Sequence, residues 1–179
     1  CLRADLKRPG LLYAGTEYGM YISFDDGGTW KKFQLNLPMV PITDLTIKEN
    51  DLVVATQGRA FYVIDDLGVI QQWNNEIASK SFHVFDVTPA WRIQGFRQNF
   101  GTPRNAGTNP PTGVVMNYYL RDVKDSTKVS ITIMDKTHKP IKTFSTDSKD
   151  NKLDVVKGMN QFIWNLQYPD PEKIEGMIL

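Results

Sequence analysis

The stretches LYAGTEYGMYISFDDGG (Leu12–Gly28) and LVVATQGRAFYVIDDLG (Leu52–Gly68) match without a gap at a spacing of about 40 residues, the period of a small repeating supersecondary unit. Leu12 meets Leu52, Thr16 meets Thr56, Tyr21 meets Phe61, Phe24 meets Ile64, and Asp25–Asp26 meets Asp65–Asp66. A unit of this length without helical periodicity has room for four short strands. The first unit reads as strands over 2–6, 11–16, 19–25 and 30–35, and the second over 42–48, 51–57, 60–66 and 70–73. Glycine, proline, asparagine and aspartate mark the turns between them. The second strand of each unit is apolar or small almost throughout, as in a strand covered on both faces. These features predict two four-stranded β-propeller blades, with no helix between Leu12 and Trp73. A ring usually takes about four to eight blades. Two blades alone need their outer faces covered, by more of the protein, by the second half of the chain or by another copy.

SFDDGGTW (Ser23–Trp30) closes the first unit. Ser23, Asp25, Gly27, Thr29 and Trp30 resemble the Asp-box, or BNR repeat, Ser-x-Asp-x-Gly-x-Thr-Trp. The second copy is decayed: Val63 stands at the serine position and Ile70 at the tryptophan position. RPGLLYAGTEYGMYISFDDGGTW, LNLPMVPITDL and DLVVATQGRAFYVIDDL resemble the last blades of large bacterial BNR-repeat proteins of the sortilin-like or sialidase-like "glycosyl hydrolase" kind. NPPTGVVMNYYL and GMNQFIWNLQYPDPEKIEGMIL resemble the β-sandwich that follows that propeller. The resemblance implies an exported protein, periplasmic, cell-surface or extracellular. It also implies a sandwich that continues beyond Leu179, and the start at Cys1 reads as an excised or processed piece.

The carboxylates of Asp25 and Asp26 admit three roles: a structural turn, a metal loop or an acid/base pair. In a turn, the aspartate accepts hydrogen bonds from amides a few residues on. Gly27 and Gly28 then supply positive φ, and Trp30 plugs the sheet face. A calcium loop needs more oxygen ligands than DDGGT offers. Carboxylates that cleave a glycoside face each other across a cleft, whereas neighbours on an extended segment point apart. The turn is the favoured role, with no catalytic, metal or cofactor residue assigned.

The repeat ends after WNNEIASKS, which places the blades in 1–79 and a second domain in 80–179. SFHVFDV, GVVMNYYL, KVSITIMD, PIKTFST, KLDVVKG and NQFIWNLQ read as strands, with DKTHKP as a hairpin turn. Val129, Ile131 and Ile133 alternate with Ser130 and Thr132, and Phe162, Trp164 and Leu166 share a face. About six short strands with turns between them suggest an immunoglobulin-like or fibronectin-like sandwich, with Trp164 as its core tryptophan. Between its strands lies a long arm, about 92–112, that interleaves Trp91, Phe96 and Phe100 with Arg92, Arg97 and Arg104. Such a long loop is usually functional or disordered: the roles are an arm laid over the propeller–sandwich junction, which is favoured, a ligand site, or a disordered segment.

The whole-chain totals narrow the function. A net charge of +1 gives no electrostatic reason to expect nucleic acid. The apolar runs fall far short of the ~18 residues of a membrane span. One cysteine and two histidines cannot make an internal disulfide or a Cys/His zinc site. His83 lies in a strand-like run and His138 in a turn, neither within a catalytic motif. The reading is a non-catalytic scaffold or recognition module, related to carbohydrate or protein ligands, whose partner is the rest of a parent propeller. The alternative is a fragment of a sialidase-like glycoside hydrolase whose catalytic residues lie on other blades.

Overall fold

The computed structural model describes residues 1–91, 111–149 and 151–169. The described chain is mostly β, in four small antiparallel sheets with two five-residue helices. It divides into two units, Cys1–Asn74 and Asn75–Leu179.

In the first unit, β1 (Leu2–Ala4), β2 (Leu12–Thr16), β3 (Gly19–Ser23) and β4 (Lys31–Lys32) form a four-stranded sheet in chain order. β5 (Ile42–Lys48), β6 (Asp51–Thr56) and β7 (Phe61–Ile64) form a second sheet, also in chain order. The fourth strand read over 70–73 is absent from it. Helix α1 (Gly68–Gln72) stands there instead, which corrects the expectation of a helix-free segment. The two corners diverge at one position. Asp26 and Asp66 both have left-handed φ, 56° and 54°. The next residue is Gly27 at φ 90° in the first corner, but Leu67 at φ −67° in the second. A leucine pays heavily for the glycine conformation. It falls into the right-handed region, its side chain inserts into the core at 0% exposure, and the chain coils into α1.

The two sheets stack through opposite faces of the repeat. In the first sheet the front face carries Tyr13 opposite Ile22 and Gly15 opposite Met20, all buried. Leu12, Ala14 and Tyr21 lie on its back face and are only half-buried. In the second sheet the buried residues are Ile42, Leu52, Val54 and Leu45, which pairs with Val54. Leu52 and Val54 are the repeat counterparts of Leu12 and Ala14, so the front of one sheet meets the back of the next. One core joins Leu11, Tyr13, Met20 and Ile22 to Ile42, Leu45, Leu52, Val54 and Leu67. The sheets approach tightly at Gly15, where an added Cβ would lie 2.5 Å from Ile42 Cγ2.

A polar clasp closes this core. Tyr13 donates its hydroxyl to Asp5 (3.0 Å), which also accepts from the Lys7 and Arg8 amides and from Gln71 of α1. Partial burial pushes the Asp5 pKa up, but these donors outweigh it and the net shift is downward. Burial, with Asp5 alongside, raises the Tyr13 pKa. The Arg8 guanidinium lies over the Phe24 ring, 4.8 Å from its centroid. It donates to the carbonyls of Ile70 and Gln71, each at 3.1 Å, and to that of Trp73. A cation on the last carbonyls of a helix is favourable.

In the second unit, α2 (Asn75–Ser79) precedes β8 (Phe82–Val84), β9 (Val114–Leu120), β10 (Ser130–Met134), β11 (Pro140–Ser145) and β12 (Gly158–Trp164). The sheet order is β12-β9-β8, with β10 and β11 as a separate hairpin. That hairpin turns at 135–140, where His138 adopts φ 62° and Asp135 accepts from Thr137 and Lys139 amides. The strand read over 152–158 reduces to one bridge, Ser145 to Lys152. The buried Asn160 side chain is the cause: it accepts from the Val156 amide and donates to the Val156 and Gly158 carbonyls. A side chain that claims backbone groups this way competes with a ladder. Trp164 is half-buried rather than central, and its indole N–H reaches the Gln167 carbonyl at 3.3 Å. Phe144 and Phe162 join the hairpin to the sheet, with centroids 4.6 Å apart.

Gly15→Ala is expected to destabilise the first unit by about 1–3 kcal/mol through overpacking. Combining it with Ile42→Ala should cost less than the sum of the two single changes. A double-mutant cycle in chemical denaturation measures that coupling.

Candidate functional site

The Ser23–Trp30 corner holds a dense polar network. Ser23 ends β3 at 1% exposure, and its hydroxyl donates to Asp25 Oδ1 at 2.7 Å. The Ser23 hydroxyl oxygen itself accepts from the Gly27 amide at 2.9 Å. Asp25 Oδ1 also accepts from the Thr29 amide at 2.8 Å, and Oδ2 from the Thr29 hydroxyl at 2.6 Å. Both carboxylate oxygens therefore bond within the corner itself. The Thr29 hydroxyl leads, with the Thr29 amide and Ser23 behind it, in pulling the Asp25 pKa down to about 2. The Asp26 amide donates to the Gly10 carbonyl at 2.9 Å, which ties the corner to the β1–β2 turn.

Two details differ from the sequence reading. The left-handed pair is Asp26–Gly27, not Gly27–Gly28. Gly28 is instead crowded, since a Cβ there would meet the Asp25 carbonyl and carboxylate oxygens at 3.3 Å. Trp30 is 40% exposed rather than a buried plug. Its ring lies beside Gly27, where an added Cβ would meet both the ring and the Leu12 side chain of the back face at 3.7 Å. In the second corner the working carboxylate is Asp66, which accepts from the Gly68 amide at 2.9 Å and from the Asn50 side chain. With valine at position 63, no hydroxyl is available to hold Asp65 as Ser23 holds Asp25.

Among the described residues a groove of ≈ 570 Å³ opens in the second unit. Phe82, Val84, Met116, Tyr118, Val129 and Ile131 supply most of its apolar lining. The Tyr118 hydroxyl is buried there without a hydrogen-bond partner among the described residues, and burial raises its pKa. His83 borders the same groove and meets Phe85 edge to face at 4.9 Å. Sequence reading missed this groove because its lining comes from three separate strands, none of which marks it by its own pattern. An unpaired buried tyrosine is invisible without coordinates.

Of the arm residues, Trp91 is 85% exposed. Arg92, Arg97 and Arg104 lie outside the described residues. The structure thus gathers Ser23, Asp25, Gly27, Thr29 and Trp30 into one corner. Among the described residues no three His, Cys, Asp or Glu side chains group as metal ligands. No described helix is long and apolar enough to cross a membrane. Comparison with family models, with curated proteins and with solved structures finds no significant match in any of the three.

Asp25 is ionised and bonded in the fold, so its contribution to stability is full above the unfolded value near 3.8 and is lost as pH falls through about 2. Wild-type protein should therefore lose melting temperature between about pH 4 and pH 2 more steeply than Asp25→Asn. At neutral pH, Asp25→Ala should melt lower while leaving any ligand affinity intact. Unchanged melting with lost binding would assign the carboxylate to a ligand instead.

Proposed function

We propose that this chain is a non-catalytic scaffold or recognition module. In this reading Cys1–Asn74 is a pair of consecutive Asp-box propeller blades and the second unit is an immunoglobulin- or fibronectin-like sandwich. The module belongs to the C-terminal part of an exported bacterial BNR-repeat protein, and its first partner is the rest of that propeller.

The observation that carries the reading is the front-to-back stacking of the two repeats. A sandwich made from two copies of one sheet by two-fold symmetry would bring like faces together. Blades around a propeller axis bring unlike faces together, each sheet presenting its front to the back of the next. The side chains of the Ser23–Trp30 corner support the same reading. Asp25 spends both oxygens on its own turn, which leaves a backbone pin rather than an acid or base aimed at a substrate.

A glycoside hydrolase would need two carboxyl groups facing across a bond at roughly 5–9 Å. In the alternative reading those groups sit on other blades of the parent, and this chain still serves as scaffold. Any direct recognition is of carbohydrate or protein, and the aromatic-lined groove of the second unit suits an apolar sugar face or side chain.

The chain should release no product from aryl-glycosides or sialosides at micromolar protein over hours, while a glycan array or pull-down reports binding or nothing. Turnover that survives repurification and depends on a carboxylate of this chain would replace the scaffold with an enzyme.

A further inference from the structure

We propose that Asp26–Gly27 is a site of spontaneous aspartate isomerisation, and that the Ser23 hydroxyl is the lock that keeps the folded chain from reacting there.

The chain has one Asp–Gly step, and it lies in the Ser23–Trp30 corner. At such a step the backbone nitrogen of the glycine attacks the side-chain carboxyl carbon of the aspartate. A C–N bond forms, the amide proton and the carboxyl hydroxyl leave together as water, and a succinimide ring results. Water then opens the ring. Opening at the side-chain carbonyl restores aspartate, and opening at the main-chain carbonyl gives isoaspartate, with the backbone routed through the side chain. One water leaves and one returns, so no co-reactant is required. Glycine favours the attack because no Cβ crowds its nitrogen.

The carboxyl partner is available. Asp26 is exposed, and its side chain makes no hydrogen bond among the described residues, whereas both oxygens of Asp25 are bonded within the corner. The nitrogen is what the fold withholds. The Gly27 amide donates to Ser23 Oγ at 2.9 Å, and Ser23 is 1% exposed. The Asp26 amide is held by the Gly10 carbonyl, also at 2.9 Å. The corner must open locally before the Gly27 nitrogen can lose its proton and turn toward the carboxyl carbon.

The second repeat supplies an internal comparison. Its corresponding step is Asp66–Leu67, where the leucine side chain crowds the nitrogen and the amide donates to the Asn50 carbonyl at 2.8 Å. Valine stands at position 63 there. The serine is present where glycine follows the aspartate and absent where leucine does. Reaction at Asp26 also undoes its own lock. It inserts one methylene into the main chain between Ser23 and Gly27 and between Asp25 and Thr29, the two pairs whose bonds close the corner.

Ageing the full chain at neutral pH and physiological temperature, with isoaspartate at position 26 quantified by mass-spectrometric peptide mapping, tests this. Folded wild type should accumulate it several-fold more slowly than the same chain held in denaturant. Ser23→Ala should accumulate it several-fold faster than wild type under native conditions. Thr29→Val loosens the corner from the Asp25 side but leaves the Gly27 amide on Ser23, and it should stay near the wild-type rate. Folded wild type that isomerises as fast as the denatured chain overturns the proposal, as does Ser23→Ala at the wild-type rate. Equal acceleration in Thr29→Val also overturns it, because general loosening would then set the rate. If Ser23→Ala does not fold, hydrogen exchange on wild type decides. A protected Gly27 amide supports the lock, and one that exchanges as fast as in an unfolded chain removes it.

Discussion

The packing of Tyr13, Met20 and Leu11 against Leu45, Leu52 and Val54 is the constraint on which the first unit depends. These side chains are at most 1% exposed, and truncating a leucine at such a position removes about 2–5 kcal/mol. Other features follow from this contact. Gly15 is small because Ile42 approaches it from the facing sheet. Tyr13 brings a hydroxyl to the rim of an apolar core, so it needs an acceptor, and Asp5 provides one. Asp5 in turn holds Gln71, and Arg8 holds the end of α1, so the last residues of the second repeat are fastened to the first turn of the first. The surface pair Arg3–Asp44, at 2.7 Å but largely solvated, adds little to this.

The second unit is held differently. Its buried apolar side chains, Ile77, Phe85, Tyr118, Leu120 and Leu153, all keep some exposure. Its strands β8 and β10 alternate between half-buried and exposed positions, and only the central β9 has no exposed residue. Polar side chains define much of its course: Asn160 shapes the approach to β12, and Asp135 shapes the β10–β11 turn. Here single amide and carboxylate groups set the path of the backbone, while in the first unit close packing sets it.

The repeat, the hairpin at 135–140 and the alternation of Ile131, Ile133 and Phe162 were legible in the sequence because each follows from residue spacing. What was not legible came from one-residue effects. The gapless match pairs Tyr21 with Phe61, yet Tyr21 lies opposite Ala14 on a back face and Phe61 opposite Ala55 on a front face. The β6–β7 turn is the cause. Thr56 bonds to Ala60 around three residues, whereas Thr16 pairs with Gly19 around two. One extra residue in a hairpin rotates every following side chain to the other side of a sheet. The role of Asp25 was legible in kind, as a turn residue, but its reach to Thr29 and the exposure of Trp30 were not. Both depend on where Gly27 and Leu12 lie in space. The groove around Tyr118 depends on three strands meeting, which no local pattern encodes.

The leucine at position 67, where the first repeat has Gly27, reaches beyond its own corner. Because α1 turns the chain away, β7 is the last strand of its sheet among the described residues. Among the described residues its outer row of amides and carbonyls has no neighbouring strand, in a segment, FYVI, of high β-propensity and no charge. Such an edge is a template on which an extended peptide can add itself as the next strand. One side chain at a bend thereby sets whether this sheet is finished by its own sequence or left as an acceptor for another.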